Sequence, residues 1–224
     1  RRFEFVFKGP GGHSFGAFGL PSAIHAMGRA IALIAELRTP QFPRTTFTVG
    51  TVSGGTSVNS IAAEAAFAID MRSNESSSLA IFERQAKQAA LRAVDEENAR
   101  WNSEAIRVEF NLIGDRPVGS TPVASPVVQV AALSYAQLGV EISGVNISST
   151  DSNVPMSMGI PAITISGGGD GGGAHSPEEW FAPVDSHLGP QAALLNLLTL
   201  VGVAGVSEPV LLNRAAPAEA AVSD

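Results

Sequence analysis

Cysteine is absent from the 224-residue chain, which excludes disulfides and thiolate metal sites. That absence leaves the compartment open, with the cytoplasm favoured. Basic residues are scarce: 14 Lys and Arg stand against 21 Asp and Glu, the net charge is -7, and no Lys/Arg cluster occurs. A phosphate backbone needs a basic footprint, so no nucleic-acid partner is expected. Long apolar runs are also missing. The longest, residues 192–206, is broken by Asn196, Thr199, Gly202 and Gly205 and falls short of the roughly 20 residues a membrane helix needs, so no membrane partner is expected. There is no initiator Met, no signal-peptide pattern and no internal repeat. The chain opens at Arg1-Arg2 directly on a strand-like run, and the expectation is a chain cut at a strand boundary.

What is present is globular composition, 45% hydrophobic and 16% charged, enough for one or two domains. Residues 2–8 alternate, with Phe3, Phe5 and Phe7 on one face and Glu4 and Lys8 on the other, which predicts a half-buried strand. Pro21 opens a helix with Ile24, Met27, Ile31 and Ile34 at helical spacing, and Pro40 stops it. Residues 45–52 form a β-branched strand. Residues 63–72 alternate through Phe67, Ile69 and Met71, and Ser53-Gly54-Gly55 supplies turn chemistry between the two. A second helix over about 78–100 turns Leu79, Phe82, Ala86 and Ala90 inward, and residues 106–113 alternate as a fourth strand. The order β-α-β-β-α-β predicts a ferredoxin-like domain, two helices on one face of a four-stranded antiparallel sheet, over residues 1–116.

The second half, residues 117–214, reads as α/β. Ser125 and Pro126 start a helix that Gly139 ends, residues 144–148 and 162–166 are short strands, and a helix covers about 188–205. Two strands are too few for a sheet buried on both faces, so this half is expected to be part of a larger domain. Residues 215–224 are Ala/Pro/Glu-rich and read as a frayed tail.

Several residues carry chemistry as candidates. His13 lies in Gly9-Pro10-Gly11-Gly12-His13-Ser14 between a strand and a helix, where it either donates to an oxyanion or merely hydrogen-bonds its own loop. The run Gly167 to Gly173, leading to His175-Ser176, admits two readings. A phosphate cradle lacks its Gly-Lys-Ser/Thr, so a metal loop with His175 as an imidazole ligand fits better. Residues 148–153 form a polar loop after a strand, and by themselves read as a turn. Asn59 and Arg72 flank the strand at 63–72; an arginine there either clamps a carboxylate or is simply solvated. His25 belongs to an ordinary amphipathic helix and His187 lies near a helix start. No serine has the context of a nucleophile elbow.

The order of these motifs is informative. Gly9-Pro10-Gly11-Gly12-His13-Ser14, then Gly54-Gly55-Thr56-Ser57-Val58-Asn59, then Ile69-Asp70-Met71-Arg72 resembles the lid of the clan MH zinc peptidases and amidohydrolases, which include carboxypeptidase G, aminoacylase and tripeptidase. Ser149-Thr150-Asp151, Gly159-Ile160-Pro161-Ala162 and the glycine loop ending in His175-Ser176 resemble the last part of that family's catalytic domain. The resemblance implies a lid/dimerisation domain followed by the C-terminal portion of an α/β zinc-peptidase catalytic domain. It implies that His13 reaches the partner subunit's site and stabilises the oxyanion, and that Asn59 and Arg72 hold the substrate carboxylate across the dimer. It further implies that Asp151 lies near the substrate and that His175 is the final zinc ligand.

The cofactor so implied is a two-zinc site, with cobalt or manganese as substitutes, and the partners are a second copy of the chain and a small peptide or N-acyl amino acid. The family's other metal ligands and its general-base Glu would lie upstream of Arg1, so the chain is expected to be inactive alone. The alternatives are a non-catalytic dimerisation or assembly module, and an amidase of the carbamoyl or allantoate type on the same fold.

Overall fold

The computed structural model describes residues 1–211, which divide into two compact units, Arg1–Val118 and a second beginning at Gly119. The expected tail, residues 215–224, lies outside the described residues, as does the expected end of the second domain at 214.

In the first unit the chain runs β1 (Arg2–Lys8), β2 (Gly12–His13), α1 (Ala23–Ala35), β3 (Thr45–Gly54), β4 (Ser60–Ile61), β5 (Glu64–Ser73), α2 (Ser76–Arg100) and β6 (Arg107–Gly114). Four of these strands form one antiparallel sheet in the order β3-β5-β1-β6. This is the ferredoxin-like arrangement that the element order predicts. Alternation decides which face is buried. Phe3, Phe5 and Phe7 on β1 and Phe67, Ile69 and Met71 on β5 point into the core, while Glu4, Lys8, Asp70 and Arg72 take the other face.

The register sets Phe5 opposite Phe67 on one side and Phe110 on the other, with ring centroids 4.9 and 4.7 Å away. Phe47 of β3 stacks on Phe82 of α2 at 4.6 Å. The α2 stripe is buried where the spacing places it, at Leu79, Phe82, Ala86 and Ala90. The α1 stripe is rotated from the expected one. Ala23, Ala26, Met27, Ala30 and Ile34 are buried, whereas Ile24 is 39% exposed and Ile31 only partly covered. Alanines facing inward on both helices let their backbones approach the sheet and each other, and Ile24 and Ile31 move to the flank.

The connection from β3 to β5 is longer than a tight hairpin turn. It carries β4, which pairs with β2 in a separate two-stranded ribbon. Gly9 N–H donates to Ala63 C=O at 2.8 Å, which ties the root of this ribbon to the end of the central β1–β5 pair.

Beneath α1 and α2 lies the buried carboxylate of Glu97, whose side chain is fully covered. Its Oε1 accepts from the Ser22 backbone N–H at 3.2 Å and the Trp101 Nε1–H at 3.1 Å, and its Oε2 accepts from Arg29 Nε at 3.1 Å. His25 Nδ1 lies 3.5 Å from the same carboxylate. Burial pushes this carboxyl up, but Ser22, Arg29, Trp101 and His25 together hold it below the ordinary value.

The second unit contains α3 (Pro126–Gln137), α4 (Asn153–Ser157), β7 (Asp170–Gly172), β8 (Trp180–Ala182) and α5 (Leu188–Val201), with α3 packed on α5. Gly139, at φ +71°, follows α3 as a left-handed stop. Two expected strands are not formed: residues 144–148 and 162–166 have no strand assignment. A strand exists only with a neighbour to share its ladder. At Ala162 that role falls to a side chain, Thr121 Oγ1, which accepts from Ala162 N–H at 3.0 Å and donates to Ala162 C=O at 2.6 Å. The final helix stops at Val201, short of the expected residue 205, where Gly202 leaves helical geometry at φ +75°.

The glycine run packs backbone against backbone. A Cβ on Gly189, in the first turn of α5, would stand 2.1 Å from the carbonyl carbon of Gly167, and one on Gly172 would meet the Trp180 ring at 2.7 Å. The glycines therefore serve close approach, not a phosphate cradle. Among the described residues no helix is long and apolar enough to cross a membrane.

Three outcomes are expected from this packing. Phe67→Ala should cost about 3–5 kcal/mol, read by urea unfolding of the chain. For Glu97 the folded pKa is depressed, so its stabilisation is present above the unfolded pKa and is lost as pH falls through the folded value. Unfolding midpoints measured from about pH 6 to pH 3 should therefore fall less steeply in Glu97→Gln than in the native chain. Asp70 and Glu83 shift in the same direction and keep part of the acid sensitivity. Gly189→Ala should part the start of α5 from the glycine run, read as faster amide exchange over residues 167–173.

Candidate functional site

The ribbon of β2 and β4 brings two of the sequence-derived candidates together. Gly11 has φ +70° and Gly12 +154°, and a Cβ on Gly12 would stand 2.9 Å from that of Ala17, so this turn requires glycine. The turn delivers His13 opposite Ser60, and Ser14 N–H donates to Asn59 C=O at 2.9 Å. His13 and Asn59 are therefore neighbours across the ribbon, both exposed.

The His13 ring is oriented by its own loop. Its Nδ1 accepts from the backbone N–H groups of Phe15 and Gly16, each at 3.3 Å. A nitrogen that accepts two N–H bonds offers its lone pair, so the neutral ring carries its proton on Nε2. The outward atom is thus a hydrogen-bond donor. Asn59 accepts the Ser57 hydroxyl through Oδ1, which leaves its Nδ2 amide as a second donor. Ser60 Oγ is held by Ser57 C=O at 2.8 Å, so the turn under Asn59 is itself bonded. The neutral His13 donor on this glycine-shaped ribbon suits an oxygen that is gaining negative charge.

Arg72 is not part of this cluster. It lies at the far end of β5 from the ribbon root at Ala63, about 30 Å along the strand at roughly 3.3 Å per residue. There it shares Asp70 with Arg2. Arg72 Nε donates to Asp70 Oδ2 at 2.6 Å and Arg2 Nε to Oδ1 at 2.9 Å. Burial pushes the Asp70 carboxyl up, and the two guanidinium groups more than reverse that and hold it down. The remaining guanidinium nitrogens of Arg72 stay available to an anion.

In the second unit Asp151 occupies the turn ahead of α4. Asn153 Oδ1 accepts from Thr150 N–H at 2.9 Å, and Thr164 Oγ1 bonds both Ser152 Oγ and Thr150 Oγ1 at 2.7 Å. These bonds shape the loop beside Asp151. His175 adopts a left-handed backbone, φ +65°, and its N–H donates to Glu179 Oε2 at 3.3 Å. Its exposed ring has no protein partner among the described residues. A zinc site needs three or four ligands, and among the described residues no group of three or more His, Asp or Glu is gathered to hold a metal. His175 with the residues described here is at most one ligand and does not fit a metal site alone.

Sequence reasoning passed over Glu97 and Trp101, which lie behind the His13 loop, and Phe18 within it. The signal was available: the inward stripe of α2 runs Leu79, Phe82, Ala86, Ala90, Ala93 and then meets Glu97 at the next helical step. A carboxylate on an apolar stripe marks a buried polar contact.

Residues 1–98 match the family model described as the peptidase dimerisation domain. No curated protein matches the chain in sequence. Among solved structures, a tripeptidase from Staphylococcus aureus subsp. aureus Mu50 is 20% identical with a TM-score of 0.63, covering 87% of this chain and 50% of its own. Aminopeptidase PepT from Bacillus cereus ATCC 10987 is 21% identical with a TM-score of 0.60, covering 87% of this chain and 49% of its own. An amidase of the hydantoinase/carbamoylase family from Burkholderia vietnamiensis is 16% identical with a TM-score of 0.63, covering 88% and 46%. At these identities the likeness is one of fold, and the chain spans about half the length of the structures it matches. The ferredoxin-like sheet, its element order and the family match agree in making residues 1–98 similar to a peptidase dimerisation domain.

Proposed function

We propose that the chain is the lid and C-terminal catalytic portion of a homodimeric, zinc-dependent amide hydrolase that acts on small peptides or N-acyl amino acids. The observation that carries this reading is His13, held on a glycine turn with its Nδ1 engaged by two loop N–H groups, which leaves Nε2–H to donate. Hydrolysis of an amide places negative charge on the carbonyl oxygen as water adds to the carbon. A preorganised neutral donor stabilises that charge more than it stabilises the ground-state carbonyl, which lowers the barrier. His13 takes that role, and Asn59 and Arg72 contact a substrate carboxylate across the dimer. The separation of Asn59 and Arg72 along β5 means that one protomer does not bring both to the same small ligand.

His175 serves as one metal ligand and Asp151 lies near the substrate. The remaining ligands and the general base come from sequence other than residues 1–211, so the chain alone does not hydrolyse. Exposure in the second unit supports this. On α5, Leu194 and Leu197 are each 55% exposed, and Leu195 and Leu198 are partly exposed. A helix apolar around its circumference is ordinarily covered on several sides.

A second reading, a non-catalytic dimerisation module, draws on the family match itself, which covers the dimerisation domain. Hydrolysis of di- and tripeptides and N-acyl amino acids, with zinc or cobalt, separates the two. The assay compares this chain with a form extended to the length of the structures it resembles. Expected is activity in the extended form only, reduced about 100-fold or more by His13→Ala and abolished by His175→Ala. Turnover by the 224-residue chain would overturn the claim that it is inactive alone. Silence in both forms would leave the dimerisation module.

A further inference from the structure

Glu97 is the only charged side chain in the buried set among the described residues, and its place behind the His13 loop has a consequence for that loop. The loop spans residues 14–20 and ends at Pro21-Ser22, where α1 begins. Its C-terminal exit is hydrogen-bonded to the last turn of α2, and its middle packs on Trp101, which caps that helix. Ser22 N–H, at the N-cap of α1, donates to Glu97 Oε1. The Trp101 indole N–H donates to the same oxygen, and the Trp101 ring meets Phe18 edge-on at 5.5 Å with an interplanar angle of 83°. Phe18 is in turn bonded into the loop through its N–H to Phe15 C=O at 3.4 Å, and Ala17 N–H donates to His13 C=O at 2.9 Å. Phe15 and Gly16 supply the two N–H groups that hold His13 Nδ1. A continuous path therefore runs from the buried carboxylate through the indole and Phe18 to the turn that selects the His13 tautomer.

The geometry points to Glu97 and Trp101 as positioning residues for His13, holding the 14–20 loop in the shape that keeps the imidazole proton on Nε2 and directed outward. Neither touches the ring or a substrate; they act through the loop. The inference rests on the reading of His13 as a donor to the developing oxyanion. Burial gives it a reason: a carboxylate that is fully covered and accepts three hydrogen bonds cannot shift without leaving donors unpaired, so it is a stiff anchor. Phe18, by contrast, is 79% exposed, which is unusual for a ring that stabilises only a core. Among the described residues its one aromatic contact is Trp101.

Imidazole nitrogen NMR of the full chain tests this at about pH 8, above the ordinary histidine pKa of about 6.5. The His13 signals are assigned by their loss in His13→Ala. In the native chain the two nitrogens are expected to report a single neutral form protonated at Nε2. In Phe18→Ala and Trp101→Ala the pair should move toward the averaged shifts of a free, tautomerising histidine side chain. Trp101→Phe keeps a ring against Phe18 and should rescue part of the shift, and Glu97→Gln should fall between. Phe18→Ala removes an exposed ring, so its thermal midpoint should match the native chain and it reports on the loop without unfolding the core.

A native Nε2–H form that stays unchanged in Phe18→Ala and Trp101→Phe, whatever the thermal midpoints do, would overturn the positioning role and leave the donor reading standing. A native ring protonated on Nδ1 would overturn both. Loss of the donor reading alone would show as an extended enzyme whose turnover ignores His13→Ala, with the tautomer results intact.

Discussion

Phe5 occupies the middle strand with Phe67 on one flank and Phe110 on the other, all three on the face that α1 and α2 cover. A one-residue slip of β1 against either neighbour would turn Phe3, Phe5 and Phe7 to the charged face and bring Glu4 and Lys8 into the core. Burial of those rings is what makes the register unique. From the register follow the end of β1 at Lys8, the bond from Gly9 to Ala63, and the root of the small ribbon that carries His13 and Asn59. The ribbon is too short to hold its own shape, since its two-residue strands share only two ladder positions. It borrows rigidity from the sheet on one side and from the buried end of α2 on the other.

Charge in this unit is arranged by depth. On the open face Asp70 joins Arg2 and Arg72, and Lys8 meets Glu109, pairs that are at least partly in water and add little stability each. Glu97 is different. It is enclosed, and every partner it has is on α1, the loop before α1, or its own helix. A carboxylate in such a place contributes less to net stability than to uniqueness, because the alternatives leave it unpaired. Lys87 shows the opposite use of a charge. It bonds Glu83 one turn away and lies over the Phe3 ring at 4.2 Å, sealing the core edge with its stem.

The second unit is built on different physics. Its buried set is small, limited in the helices to residues such as Val130, Ala131 and Ala192, and much of the remainder is held by glycine backbone contact and hydroxyl bonds. Thr121 satisfies both backbone groups of Ala162, and Thr164 links two hydroxyls of the loop beside Asp151. Side chains thus do what a neighbouring strand does in a full sheet. The apolar circumference of α5 and the absence of strands at 144–148 and 162–166 have one cause: strand and helix surfaces that find no partner within the described residues.

The amino-acid pattern by itself determined the ferredoxin-like element order, the inward phenylalanines of β1, the α2 stripe and the glycine turn at His13. Period and turn chemistry are local properties, written within a few residues of where they act. Tertiary structure alone decided the rest. Which side of α1 is buried depended on alanines fitting where Ile24 and Ile31 did not, a matter of distance to the sheet. That Asn59 stands beside His13 while Arg72 lies at the far end of β5 depended on β4 leaving the hairpin to pair with β2. The purpose of Glu97, and the path from it to the His13 ring, depended on bringing residue 97 against residue 22, a contact between positions 75 apart that no local spacing encodes.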